Sequence, residues 1–282
     1  GQRFLVLPGG PLYRTKVLRN FRTIRLFFKA LARARALLKN LQPDVCVGMG
    51  GYITGPLLLA CRMRGIPYVL CEQNAYPGFA NRRFAGKAER ILLTFPEAAA
   101  RFSKRAARRA VLPGNPVRPG FVRADRNEAR RFFGIPAGKR VLAVTGGSQG
   151  AAGINAALLS LQKELKGTIV LWSCGEKHHA ALKGEVTSGD YRLFPFVERM
   201  DLFLAAADLV VSRAGATSLA EIAVSGKPSL LVPYPFATAD HQTANAAGFA
   251  AAGAAVVVPE GENFRDRLAV ERAGLLADKQ RL

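Results

Sequence analysis

The sequence predicts an α/β chain built as two doubly wound domains with a cleft between them. Three observations carry that expectation. Short apolar, β-branched runs alternate with helical patterns, which signals βαβ units and parallel sheets covered on both faces. A glycine-rich turn follows a buried strand in each half, at Gly48–Gly55 and at Thr145–Ala151. Between the halves lies Leu112-Pro-Gly-Asn-Pro-Val-Arg-Pro-Gly120, which reads as a linker or interdomain turn. The expected domains are therefore residues 1–117 and 118–282.

Element by element, Phe4–Leu7 reads as a short strand and Pro11–Leu41 as a long helix. Val17, Phe21, Ile24, Phe28 and Leu31 recur on that helix at three- and four-residue spacing. Its other face is basic, from Arg14 to Lys39, and no acidic residue precedes Asp44. Strands are then expected at Val45–Gly48, Ile66–Cys71 and Arg90–Thr94, with a helix at Pro56–Arg64. The second half repeats the theme with strands at Val141–Thr145, Thr168–Trp172, Arg192–Phe194, Leu209–Val211, Ser229–Val232 and Ala255–Val258. The first helix among them is expected over Ala151–Leu165.

Composition narrows the function classes. The chain has 282 residues, 49% hydrophobic and 22% charged, which is globular composition with room for two medium cores. No apolar run reaches the roughly 18 residues of a membrane span, and no secretory leader pattern opens the chain. Cys46, Cys61, Cys71 and Cys174 are widely spaced without a C-x-x-C pair, which fits free thiols better than disulfides or zinc. Net charge is +21, but residues 1–140 hold 28 Lys/Arg against 6 Asp/Glu. The first half thus faces something strongly anionic: nucleic acid, an anionic membrane or an acidic substrate.

The turn Thr145-Gly-Gly-Ser-Gln-Gly-Ala151 lies between a buried strand and a helix, where free N–H groups and the helix dipole favour a diphosphate. Such a site contributes up to about 2 kcal/mol. It matches neither a dinucleotide fingerprint nor a P-loop, and a plain βα connection is the bland alternative. Gly48-Met-Gly-Gly-Tyr-Ile-Thr-Gly55 is its counterpart in the first half. Arg213–Glu221 opens another helix, on which Glu221 is either a ribose-diol acceptor or an ordinary surface carboxylate. Asp240–Asn245 is a polar cluster at a helix start, with Asp240 a candidate N-cap. His178 and His179 are adjacent and make a poor metal pair, and no H-E-x-x-H or D-x-D occurs. The basic helix either packs its apolar stripe on the sheet or meets an anionic bilayer through Phe21, Phe27, Phe28 and Leu31 with Arg25 and Lys29.

Taken together, Gly50-Gly-Tyr-Ile-Thr-Gly-Pro56, Glu72-Gln-Asn-Ala75 with Pro77-Gly78, Gly114-Asn-Pro-Val-Arg118, Gly146-Gly-Ser-Gln-Gly150, Arg213-Ala-Gly-Ala216 and Asp240-His-Gln-Thr-Ala-Asn245 closely resemble the MurG family. These are the N-acetylglucosaminyltransferases of peptidoglycan synthesis, which convert lipid I to lipid II. The resemblance implies a GT-B fold of two Rossmann-like domains, no metal or other cofactor, and a peripheral enzyme on the cytoplasmic face of the bacterial plasma membrane. It implies UDP-N-acetylglucosamine as donor, held by Asn74, Arg118, Gly147, Ser148, Gln149, Val197, Ala216, Thr217, Ser218, Leu219, Ala220, Glu221, Gln242 and Asn245. Within that set Ser148 and Gln149 would meet the diphosphate, Arg118 the departing UDP, Glu221 the ribose and Val197 the uracil. Gln242 and Asn245 would hold sugar hydroxyls. The acceptor, lipid I, would place its diphosphate on Gly50, Gly51, Tyr52, Thr54 and Gly55.

The sequence departs from the family pattern in the glycine loop with a histidine, the usual candidate base, for which no counterpart is present here. No catalytic residue is therefore assigned, and the 282-residue chain is expected to be a fragment with little turnover. Cys71 stands where the family commonly has His. Two alternatives are weighed against this reading: another glycosyltransferase acting on a membrane lipid such as diacylglycerol, and a basic nucleic-acid-binding module. Against the latter, no helix-turn-helix or RNA-stacking motif appears, so nucleic acid is not an expected partner.

Overall fold

The computed structural model describes residues 4–10, 17–237 and 240–277. The chain divides into two compact units, Gly1–Gly114 and Asn115–Leu282.

The first unit runs α1 (Val17–Leu41), β1 (Cys46–Gly48), α2 (Thr54–Arg64), β2 (Tyr68–Glu72), α3 (Phe79–Phe84), β3 (Arg90–Leu93), α4 (Lys104–Ala107) and β4 (Ala110–Val111), with tight 3-10 turns at Ala85–Lys87 and Pro96–Arg101. Its strands form one parallel sheet in the order β1-β2-β3-β4, in register at Cys46 with Tyr68, Val69 with Arg90, and Ile91 with Ala110. Leu58, Tyr68, Leu70, Ile91 and Leu93 centre its core. Gly65 ends α2 in the left-handed conformation that a side chain disfavours. The segment Phe4–Leu7 is not a strand: Phe4 and Val6 are exposed, and none of the described strands pairs with it. The start expected for the long helix, at 11–16, lies outside the described residues.

α1 corrects the helical reading. The stripe Phe21, Ile24 and Phe28 is 69%, 48% and 62% exposed, while Thr23, Ala30, Ala34 and Leu38 are buried. The helix packs along α2. Small residues on the buried face allow close approach, and Gly55 of α2 lies opposite Phe27: a Cβ there would sit 3.6 Å from its ring. Close helix–helix packing selected the small-residue face over the more hydrophobic one.

The second unit runs α5 (Gly120–Arg123), α6 (Arg126–Phe132), β5 (Arg140–Thr145), α7 (Ala152–Ser160), β6 (Thr168–Ser173), α8 (Glu176–Glu185), β7 (Tyr191–Phe194), α9 (Met200–Ala206), β8 (Leu209–Ser212), α10 (Ala216–Val224), β9 (Ser229–Leu231), α11 (His241–Ala251), β10 (Ala255–Val257) and α12 (Phe264–Ala277). The parallel sheet has the order β10-β9-β8-β5-β6-β7. Successive residues of β5 point to opposite faces, and both faces are filled. Leu142 and Val144 join Ile154, Leu158 and Trp172, while Val141 and Ala143 join Leu171, Phe203 and Val210. Strand order reverses between β5 and β8, the switch point at which open α/β sheets leave a crevice beyond their carboxyl ends. α7 stops at Ser160, short of the expected Leu165, and turns fill the interval to β6.

Candidate functional site

The turn after β5 is fixed by contacts that only glycine permits. Gly147 and Gly150 have φ of 82° and 73°. A Cβ on Gly150 would lie 2.1 Å from the Cys174 carbonyl oxygen, and one on Gly175 would lie 2.6 Å from the Gln149 oxygen. The turn therefore rests directly on the chain leaving β6. Asn155, fully inside, locks the pair: its Nδ2 donates to the Cys174 carbonyl at 3.0 Å, and its Oδ1 accepts from the Trp172 indole at 3.0 Å. Ser148 and Gln149 are exposed at the tip. No side chain caps the first turn of α7, so its N–H groups are offered to a ligand.

One charge at this helix end escaped the sequence reading. Glu260, from the loop after β10, sets Oε1 2.1 Å from where a Gly153 Cβ would stand. Its carboxylate is paired with Arg213 at 2.8 Å, and Arg213 also donates to the Val232 and Pro233 carbonyls at 3.2 Å. The pair is largely buried, and Arg213 neutralises the carboxylate that stands at the start of α7. Only sheet topology brings these residues together.

The loop after β8 is built by the two amides that the sequence singled out. Gln242 Oε1 accepts from Ala214 N at 3.2 Å and from Tyr234 N at 2.9 Å, tying together the loops after β8 and β9. Asn245 is fully buried and donates to the Ala214 carbonyl at 3.1 Å. With its oxygen accepting from two backbone N–H groups, Gln242 keeps its Nε2 as the group for a ligand.

Beyond Gly215, Ala216 and Leu219 turn into the core, Ser218, Ala220 and Glu221 are half-buried, and Thr217 is exposed. Burial pushes the Glu221 carboxyl above its ordinary range, and Arg118, 4.0 Å away, pulls it back. Arg118 lies over the Phe121 ring at 5.3 Å. Val197 is a core residue, packed with Phe203 and Leu204. The residue before it, Phe196, is 53% exposed in the loop after β7. The sequence reading singled out Val197 and not this exposed aromatic just beyond the carboxyl end of β7.

In the first unit, Gly50 and Gly51 have φ of 79° and 80°, and the Thr54 hydroxyl donates to the Gly50 carbonyl. Tyr52 is 59% exposed, Thr54 is buried and Gly55 lies against Phe27. Glu72, 2% exposed, organises the next loop. Its oxygens accept from the backbone N–H groups of Asn74 at 3.0 Å and Gly78 at 2.9 Å, and from Asn81 Nδ2 at 2.8 Å. Asn81 also lies beneath the glycine turn, its Nδ2 3.8 Å from a Cβ placed on Gly50. On α1, Arg25 and Lys29 share the outward face with Phe21 and Phe28, whereas Phe27 and Leu31 are half-buried. Phe27 meets Phe28 edge-on at 5.8 Å.

Comparisons with known proteins agree with this architecture. Residues 2–93 match the glycosyltransferase family 28 N-terminal domain, and residues 141–281 match the family 28 C-terminal domain. The chain is 42% identical over 282 residues to the UDP-N-acetylglucosamine--N-acetylmuramyl-(pentapeptide) pyrophosphoryl-undecaprenol N-acetylglucosamine transferase of Moorella thermoacetica, covering 96% of this chain and 76% of that protein. The enzyme of the same name from Halothermothrix orenii is 37% identical, with 90% and 71% covered. Among solved structures, Acinetobacter baumannii MurG superposes with a TM-score of 0.70 at 28% identity, over 92% of this chain and 72% of that one.

Proposed function

The chain belongs to glycosyltransferase family 28 and, within it, to the UDP-N-acetylglucosamine transferases that act on the muramyl-pentapeptide of a polyprenyl diphosphate; on that premise we propose how its two units divide the reaction. The second unit takes UDP-N-acetylglucosamine. Backbone N–H groups of Ser148, Gln149, Ala151 and Ala152 hold the diphosphate, while that of Gly150 closes the turn on the Gly147 carbonyl, and Arg118 meets the charge that grows on UDP as the glycosidic bond breaks. Glu221 accepts from the ribose hydroxyls, Phe196 stacks on the uracil beside the Val197 backbone, and the Gln242 Nε2 reaches a sugar hydroxyl. Ala216–Ala220 shape the nucleoside pocket. Asn245 contributes by holding the Ala214 loop.

The first unit takes the lipid-linked acceptor. The N–H groups of the Gly50–Gly55 turn receive its diphosphate, and Asn74, oriented by Glu72, faces the transferred sugar. The acceptor C4 hydroxyl attacks C1 of N-acetylglucosamine with inversion, the bond to the UDP oxygen breaks, and the hydroxyl proton passes to a base. Fixed donors aimed at the leaving group supply the largest share of the acceleration, of the order of 3 kcal/mol per donor.

No helix among the described residues is long and apolar enough to cross a membrane. The enzyme instead adsorbs to the anionic cytoplasmic surface through Phe21, Phe28, Arg25 and Lys29. Basic residues near such a surface contribute about 1 kcal/mol each.

The glycine turn pinned at Cys174, at the switch point of a parallel sheet, carries this reading. Isothermal calorimetry tests it: UDP and UDP-N-acetylglucosamine are expected to bind the folded chain, and absence of binding by both sinks it. Labelled donor supplied with the muramyl-pentapeptide lipid or with diacylglycerol then decides the acceptor class.

A further inference from the structure

One cluster in the first unit has no role in the reading above. The guanidinium carbon of Arg82 lies 5.2 Å from the centroid of the Tyr76 ring, and that of Arg101 lies 5.2 Å from the same centroid. Two cations share one ring, so their charges stand within about 10 Å of each other, near a Debye length in 0.1 M salt. Among the described residues, neither guanidinium has a carboxylate partner or a hydrogen bond. Both arginines are exposed, while Tyr76 is half-buried.

The location is specific. Tyr76 belongs to the loop that Glu72 holds through Asn74 and Gly78. Arg82 follows Asn81, the residue beneath the Gly50 turn. Arg101 ends the 3-10 turn that follows β3. All three lie beyond the carboxyl ends of β2 and β3, the same edge of the parallel sheet from which the Gly50 turn follows β1.

From this arrangement we infer that Arg82 and Arg101, both drawn to the Tyr76 ring, form a clamp for carboxylates of the acceptor's peptide. The inference rests on the acceptor reading above and extends it to a recognition subsite. Cation–π attraction holds each guanidinium near the ring, and with no hydrogen bond or carboxylate partner among the described residues its N–H groups are free to meet an anion. A carboxylate has two oxygens and accepts a charge-assisted hydrogen bond from a guanidinium on each. Two unpaired cations gathered on one ring concentrate positive charge at one place, which favours an anion there. A peptide joined to a sugar acid through its amine ends in a free carboxylate, and the diphosphate already has the glycine turn.

The test is fluorescence anisotropy on the full chain with a labelled muramyl-pentapeptide that carries neither phosphate nor lipid, compared with its fully amidated form. The free acid is expected to bind about tenfold more tightly, as two charge-assisted contacts allow. R82Q/R101Q should erase that ratio, Tyr76→Leu should shrink it although both charges remain, and Tyr76→Phe should keep it. A wild-type protein indifferent to amidation overturns the clamp, as does a double variant that keeps the preference. Inorganic pyrophosphate is titrated alongside. If the double variant loses pyrophosphate binding while the acid-to-amide ratio stands, the arginines serve the diphosphate and the inference fails. UDP binding should be unchanged in every variant. Its absence from the wild type would defeat the donor reading while leaving the peptide comparison readable.

Discussion

Alanine at Gly150 and alanine at Gly147 form a pair that isolates what the turn after β5 does. Both residues have positive φ, 73° and 82°, so each substitution carries the left-handed strain of about 1–2 kcal/mol. Their surroundings differ. At Gly147 a Cβ meets nothing within 4 Å, whereas at Gly150 it would stand 2.1 Å from the Cys174 carbonyl oxygen and 2.9 Å from its carbon. Relieving that overlap to ordinary contact moves the turn by about 1 Å, since close-packed interiors yield only locally. The N–H groups aimed at the diphosphate move with it. Urea denaturation should place Gly147→Ala about 1–2 kcal/mol below wild type, with Gly150→Ala lower still. Calorimetry should show UDP affinity within a few-fold of wild type for Gly147→Ala and at least about tenfold weaker for Gly150→Ala. Wild-type UDP affinity in Gly150→Ala would refute the claim that the Cys174 contact sets the diphosphate seat.

Three further outcomes follow from the geometry. Burial raises the Glu221 carboxyl above the ordinary value of a free glutamate, so its protonated form favours the folded state. That stabilisation is complete below 4.5 and is lost as pH rises through the folded value. Glu221→Gln should therefore unfold no earlier than wild type at pH 7 while binding UDP about tenfold more weakly, read by thermal melts and calorimetry; lower stability at pH 7 with UDP affinity intact would contradict both halves. Arg213→Met leaves Glu260 unpaired at the start of α7 and should lose about 3 kcal/mol in urea denaturation, with Arg213→Met/Glu260→Gln recovering part of it. Replacing Phe21 and Phe28 by Ser should leave the melting temperature unchanged, because both rings are exposed, and should reduce sedimentation with anionic vesicles severalfold; equal sedimentation would remove α1 from the membrane contact.

The strand list was largely readable in advance, because each strand is a local apolar run bounded by its own turn chemistry. β4, of two residues, is too short to leave such a trace. The glycine turns were readable as well: Gly147 and Gly150 announce positive φ by residue type alone. The burial of individual site residues was not. Val197 stood out by motif, yet the fold buries it and exposes its neighbour Phe196, since the turn out of β7 decides which of two adjacent apolar residues faces inward. Asn245, a sugar contact by resemblance, is fully buried with its Nδ2 on the Ala214 carbonyl, a placement that residue type alone does not announce.

What the sequence determined by itself is the pair of parallel sheets, the turns that follow β1 and β5, and the concentration of positive charge in the first half. Each of these follows from short-range rules of residue type and spacing. Tertiary structure alone decided which stripe of α1 is buried, that Glu260 reaches the start of α7 under the guard of Arg213, and that two arginines converge on Tyr76. Those facts join residues far apart in the chain, and their energies depend on packing and on charges brought close only when the sheets have formed.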